Sequence, residues 1–266
     1  MCRGMRIAAF CVAAAAIGSA AGGALAESVP ADADQDTQIL AALARPASDP
    51  QRQDQARLLL FSGTDLWRHG GFAHGGLLWA PVGLDRQGPV LKLMFGGGIY
   101  RYRSGALANA EVRGNLLAAS ILPGWRFIRD GLTVTVFLGV DFQRHRLTPD
   151  DLSAGLRGNY VGAKTGFNLW YQPTSATMFS ADASFSTVGP SYNVRLATGL
   201  RAFDWCYFGP EIQAFGADSN YRQFRAGLHA TGLRTGEFEW SAGAGWATDT
   251  DHRSGAYGKL GVFTRR

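Results

Sequence analysis

The sequence predicts an all-β fold: a transmembrane, antiparallel, up-and-down β-barrel of about twelve strands, with ten to fourteen compatible. Three observations predict it. Long segments alternate apolar and polar residues with period two, their connections alternate between short and long, and tryptophans gather near the short ones.

The chain opens on a segment that is not part of the barrel. Arg3 and Arg6, an apolar run from Ile7 to Ile17, and Ala24-Leu25-Ala26 form the basic region, core and small-x-small site of a signal peptide over 1–26. That run is too short to cross about 30 Å of hydrocarbon as a helix. Cleavage removes Cys2 and Cys11 and leaves Cys206, so no internal disulfide is expected and Cys206 reads as a small apolar side chain. The signal holds two arginines and no acid, which leaves 24 basic and 21 acidic residues, a net charge of +3. With no basic run or stripe, nucleic acid is not an expected partner. Residues 27–56 carry Asp32, Asp34, Asp36, Asp49, Pro30, Pro46 and Pro50 and read as a polar periplasmic tail, with a short helix near 38–45.

From 57 to 266 the period is two. Leu132, Val134, Val136, Leu138, Val140 and Phe142 share one face, opposite Thr133, Thr135, Gly139, Asp141 and Gln143, with Phe137 the exception. Phe179, Ala181, Ala183 and Phe185 oppose Ser180, Asp182, Ser184 and Ser186; Tyr192, Val194, Leu196 and Leu200 oppose Asn193, Arg195 and Arg201. Phe224, Ala226, Leu228 and Ala230 oppose Gln223, Arg225, His229 and Thr231, and Phe238, Trp240, Ala242, Ala244 and Trp246 oppose Glu239 and Ser241. Segments of about 12 to 15 residues exceed the usual 5 or 6 of soluble strands and suit a tilted crossing of the bilayer. The apolar faces are therefore expected outward, with Val136 near the membrane midplane.

Strands are expected to begin near Arg57, Phe72, Val90, Glu111, Leu132, Gly158, Ala176, Tyr192, Trp205, Tyr221, Glu237 and Gly255. With the N-terminus in the periplasm, the short connections are 83–88, 129–131, 172–175, Asp204 and 235–236; the longer external ones are 103–110, 147–157, 217–220 and 248–254. The connections at 69–71 and near Gly189-Pro190 are shorter than that rule asks. Trp79, Trp125, Trp170, Trp205 and Trp240 lie near the periplasmic set, where an interfacial girdle belongs. The C-terminus departs from the pattern, because Phe263 is followed by Thr264-Arg265-Arg266 rather than ending the chain.

Residues that could carry chemistry are sparse. Gly96-Gly97-Gly98 and Gly243-x-Gly245 lie within strands, without the following helix of a phosphate cradle. His69, His74, His145, His229 and His252 lack metal-ligand spacing, so neither metal nor cofactor is expected. His145 and His229 take inward parity. Asp249-Thr250-Asp251-His252-Arg253-Ser254 could present a catalytic Ser, His and Asp at the outer rim, although a polar loop has the same composition. The informative set is the inward polar one: Lys92, Asp141, Gln143, Lys164, Asn168, Asp182, Arg195, Arg201, Glu211, Gln213, Arg225 and Glu239. These side chains either pair and plug the lumen or line a path for a hydrophilic solute.

The strings DLWRHGGFAHGGLLWAP (65–81), GGGIYRYRSGALANAEV (96–112), LPGWRF (122–127), YRQFRAGLHATGLRTGEFEWSAGAGW (221–246) and DHRSGAYGKLGVFTRR (251–266) carry a resemblance. Over 57–266 the chain resembles the BcsS family of alphaproteobacterial cellulose biosynthesis proteins. The resemblance implies a non-enzymatic accessory of cellulose synthesis or secretion in the cell outer membrane, with membrane lipid, glucan and the secretion machinery as partners. It transfers no catalytic residue. A small-solute channel and a rim-loop enzyme acting on lipid or polysaccharide are the competing expectations. For a glucan path, Asn168, Trp170, Gln213, Tyr207 and Phe215 would supply hydroxyl partners and aromatic platforms.

Overall fold

The computed structural model describes residues 56–202, 206–217 and 221–266. The expected signal peptide and nearly all of the tail lie outside them, as do Asp204, Trp205 and the loop at 218–220. Twelve strands follow in order: β1 (Leu58–Trp67), β2 (Gly70–Trp79), β3 (Gly88–Ser104), β4 (Ala110–Arg129), β5 (Leu132–Thr148) and β6 (Gly158–Thr174), then β7 (Thr177–Ser186), β8 (Ser191–Ala202), β9 (Cys206–Ala217), β10 (Tyr221–Thr235), β11 (Phe238–Asp249) and β12 (Ser254–Arg265). Each pairs antiparallel with its sequence neighbour, and β1 pairs with β12 from Leu59↔Arg265 to Trp67↔Tyr257, closing the barrel.

Alternation decides the two faces. On β5, Val136, Leu138, Val140 and Phe142 are exposed outside, while Thr133, Thr135, Asp141 and His145 are buried inside. Phe179, Val194, Leu196, Phe224, Leu228 and Trp246 continue the outer apolar surface around the wall. A closed hydrogen-bond ladder with an apolar exterior is the form in which β-structure crosses hydrocarbon. Phe137 breaks the polar parity of the inner face by design of its neighbours, since its ring packs among Phe61, Met94 and Leu122 beneath the Lys92 ammonium.

Three of the four two-residue connections lie at the end that holds the start of β1 and the end of β12; the fourth, Arg68-His69, joins β1 to β2 at the other end. Asp130-Gly131, Ser175-Ala176 and Gly236-Glu237 each join two strands with two residues. Asp130 and Gly131 both have positive φ, 47° and 77°, which a two-residue hairpin twisted like its strands demands. The opposite end carries a 3-10 turn (Gly105–Leu107) and a loop over 149–157. One connection at the turn end is not a turn: residues 80–87 fold back into the barrel mouth, where Ala80 and Leu84 are buried with Leu59, Leu78 and Val90.

The tryptophan girdle is partly corrected. Trp79 and Trp125 are exposed on the outer wall, but Trp170 is wholly buried inside against Tyr207 and Met178, as its parity with Asn168 requires. Val136, opposite Trp125, and Leu138 are the two central residues of the outer apolar run of β5 from Leu132 to Phe142. Leu138→Arg is expected to destabilise the inserted barrel by about 2–4 kcal/mol, the cost of a midplane cation. Urea unfolding followed by gel mobility in lipid vesicles measures it; folding equal to the parent would reverse the assigned face.

Candidate functional site

The lumen is the place where the sequence concentrates polar groups, and the structure fills it with them. Glu211 is the centre of one network. Its carboxylate accepts from Arg195 Nε at 2.9 Å, from Lys259 Nζ at 2.8 Å and from the Tyr257 hydroxyl at 2.9 Å. Arg195 also faces Asp182 at 3.7 Å, and Asp182 accepts from Asn168 Nδ2 at 3.3 Å. Alternate residues of β6, β7, β8, β9 and β12 meet here because opposed positions on adjacent strands share a face: Asn168↔Asp182↔Arg195↔Gln213 is one such row. Beside it, Arg225 pairs with Asp65 at 2.6 Å and lies over the rings of Phe215 and Tyr257.

Asp141 centres a second network on β4–β7. It accepts from Ser120 at 2.8 Å, Ser186 at 2.7 Å and Gln143 at 2.8 Å, with Lys164 Nζ at 3.8 Å. Gln143 continues to His145 Nε2 at 3.1 Å, whose Nδ1 lies 3.2 Å from the Tyr100 hydroxyl. Gly114 makes this possible: a side chain there would run into the Tyr100 ring. These groups are removed from water almost completely, with Asp141 and Asn168 at 0 % exposure and Arg225 at 1 %.

Chain segments fold into both mouths. At the turn end, Arg126 donates to the Leu84 carbonyl, Arg265 meets Asp85 at 3.4 Å, and Arg234 meets Glu239 at 3.4 Å. At the other end, Asp151 turns inward from the 149–157 loop and accepts from Tyr102 at 3.0 Å and from the Ser153 amide and hydroxyl at 3.0 and 2.6 Å. Ala154 of that loop packs against the apolar cluster that includes Tyr102, Val112, Leu147 and Phe215. Arg157 locks the loop from outside by a bidentate pair with Asp150, both contacts 2.7 Å.

Lys92, Asp141, Lys164, Asn168, Asp182, Arg195, Glu211, Gln213, Arg225 and Glu239 are thus buried inside the barrel, and Gln143 is half-buried. Arg201 is the exception. It keeps inward parity opposite Tyr207, but lies one position from the end of β8 and is exposed at the rim. The residues that sequence reading missed are those of 80–87 and Asp151, which fold into the mouths; loops that fold inward leave no periodic signal. Among the described residues, no group of three or more His, Cys, Asp or Glu is placed to hold a metal ion. In the rim loop, Asp249 is taken up by Arg253 at 2.7 Å and by the amides of Asp251 and Arg253, and no Ser254–His252 hydrogen bond forms among the described residues.

Removing one partner of a buried ion pair leaves an uncompensated charge, so Glu211→Ala is expected to lower stability by about 3–5 kcal/mol. The exposed Arg101–Glu111 contact gives a comparison, with Glu111→Ala costing less than about 1 kcal/mol by the same unfolding measurement. For Asp151, burial alone raises the carboxyl, yet the hydrogen bonds from Ser153, Ser104 and Tyr102 hold it below its ordinary value. A depressed folded value stabilises the docked loop at every pH above the unfolded value of about 3.9, and that stability is lost as pH falls through the folded value. Trypsin cleavage after Arg157 should therefore stay slow from neutral to mildly acid pH, and Asp151→Ala should accelerate it several-fold at neutral pH.

Solved structures of similar architecture include outer-membrane barrels. The KdgM porin is 8 % identical over 77 % of this chain and 98 % of its own, with a TM-score of 0.40. The translocator domain of the autotransporter NalP from Neisseria meningitidis is 12 % identical over 86 % and 94 %, at 0.47. LpxR from Salmonella typhimurium is 10 % identical over 78 % and 99 %, at 0.43. Nothing about activity follows from likeness at that level. No curated protein matches the sequence. The sequence profile described as cellulose biosynthesis protein BcsS matches residues 59–266, which is the whole barrel from its first strand to its last residue, and the chain belongs to that family.

Proposed function

We propose that this protein is a non-enzymatic outer-membrane accessory of cellulose biosynthesis or secretion, which anchors or organises partners at its rims and conducts nothing through its centre. The observation that carries this reading is the lumen: its charges are consumed by one another and its two mouths are covered by 80–87 and 149–157. A solute path needs polar groups facing water, and a glucan path needs exposed rings. Here Trp170, Tyr207 and Phe215 are buried among protein atoms. Family membership supplies the link to cellulose, and the apolar exterior supports the membrane location. Partners then meet the protein through the loop rim, at 149–157 and 250–253. The engagement of Asp249 by Arg253 supports the non-enzymatic reading, because the acid that a Ser–His pair would need is already neutralised.

Deletion of the protein should reduce or disorganise extracellular cellulose while cytoplasmic glucan synthesis continues, read by dye binding on colonies and by synthase activity in membranes. His252→Ala with Ser254→Ala should complement the deletion fully. In a planar bilayer the purified barrel should show no steady conductance. Unchanged cellulose on deletion would remove the role; failed complementation by a well-assembled double variant would restore the enzyme; a stable open level would restore the channel.

A further inference from the structure

Five arginines stand on the outer wall at the loop end of β3, β4 and β5. They are Arg101, Arg103, Arg113, Arg144 and Arg146, and all are exposed. Their strands place them on the lipid side: Arg101 follows Ile99, Arg144 follows Phe142, and Arg113 precedes Leu117, each on the outward parity of its strand. The patch therefore begins where the apolar exterior stops. Register brings the charges together. Arg101 is directly opposite Arg113, and Arg146 is opposite Asn115, diagonal to Arg113. Opposed positions lie about 5 Å apart at Cβ and diagonal ones about 7 Å, within reach of guanidinium groups sharing one anion.

Like charges directly opposed across a ladder repel, and the chain does little to neutralise these. Glu111, opposite Arg103 in the ladder, lies 3.7 Å from Arg101, and among the described residues Arg103, Arg113, Arg144 and Arg146 make no ion pair within 4 Å. At the turn end, Arg129 meets Asp130 at 3.4 Å, Arg234 meets Glu239 at 3.4 Å and Arg266 meets Glu237 at 2.7 Å, while Arg57 and Arg86 are exposed but are not brought opposite one another by the strand register. We infer that the outward arginine patch on β3–β5 is a docking surface for the phosphate groups of lipids in the leaflet around the loop end. The inference rests on the membrane placement proposed above. Guanidinium groups bind phosphate bidentately and hold their charge at every physiological pH, which suits them to headgroup depth better than lysine. The apolar residues immediately below supply the acyl-chain contact, so lipid answers the whole surface and free phosphate only its upper part.

The test uses the folded barrel in neutral detergent, with bisphosphorylated lipid A, its dephosphorylated form and inorganic phosphate as probes, followed by native mass spectrometry. The parent should retain bisphosphorylated lipid A, bind the dephosphorylated lipid at least about tenfold more weakly, and release lipid as salt is raised. Arg113→Ser with Arg146→Ser should lose lipid by a similar factor, whereas Arg129→Ser with Arg234→Ser at the opposite rim should not. Arg113→Lys with Arg146→Lys, which keeps the charge and the fold, should fall between parent and serine variant. Equal retention of the dephosphorylated lipid, salt-independent retention, saturation by inorganic phosphate alone, or parent-like binding by both patch variants would each overturn the inference. Cellulose output is a separate readout, so failure here leaves the accessory role standing, and the reverse.

Discussion

Closure of the ladder between β1 and β12 is the constraint on which everything else depends. Nine opposed residues, from Leu59↔Arg265 to Trp67↔Tyr257, remove the only two edges the sheet would otherwise have. In hydrocarbon each unpaired backbone N–H or C=O costs several kcal/mol, so an open sheet of these strands could not remain there. Once the sheet closes, period two has a fixed meaning: one residue in each pair faces lipid and the other faces a confined interior. The exposed Leu138 and the buried Asp141 are consequences of the same geometry. Beyond Phe263 the ladder continues, because Thr264 and Arg265 still pair with β1 and Arg265 then reaches Asp85 at the mouth.

Confinement turns the interior polarity into an electrostatic problem. Taking a charge out of water costs several kcal/mol, and mutual attraction offsets this only with good geometry and saturated hydrogen bonding. Glu211 meets those terms with Arg195, Lys259 and Tyr257, and Asp141 with two serines, a glutamine and a lysine. The carboxylates of Glu211 and Asp141 are thereby held by protein partners. The same groups that make a channel conceivable from composition pair with one another, since opposite charges on adjacent strands share a face.

The legible and illegible parts of this protein divide by the range of the interaction that sets them. Strand positions and faces follow from neighbours two residues apart, so the expected starts near Leu132, Gly158, Tyr192 and Tyr221 lie within a residue of the observed ones. The Asp130-Gly131 turn was readable for a similar reason, since its backbone conformation is a property of those two residues. Trp170 was misleading because closeness to a turn and parity pointed different ways, and parity governs when the wall is closed. Arg201 shows the complementary limit: parity holds to the strand end, but burial needs neighbours above and below, which a rim position lacks. The infolded 80–87 segment and the capping Asp151 depend on contacts with strands far away in sequence, and no local pattern encodes them.

The two rims then differ in a way that the interior does not. At the turn end, several arginines close onto Asp85, Asp130, Glu237 and Glu239, while Arg57 and Arg86 stay exposed. At the loop end, Asp151, Asp150 and Asp249 are drawn inward or into loop closure, Glu111 meets Arg101, and the outward arginines of β3–β5 stand close together at the membrane boundary. A barrel needs no such asymmetry to fold, because exposed pairs contribute little to stability. What the loop end does supply is a concentration of like charge on the outer wall, with Arg101 directly opposite Arg113 and Arg146 diagonal to it. Such a cluster is a feature through which the surroundings of the barrel can act on it.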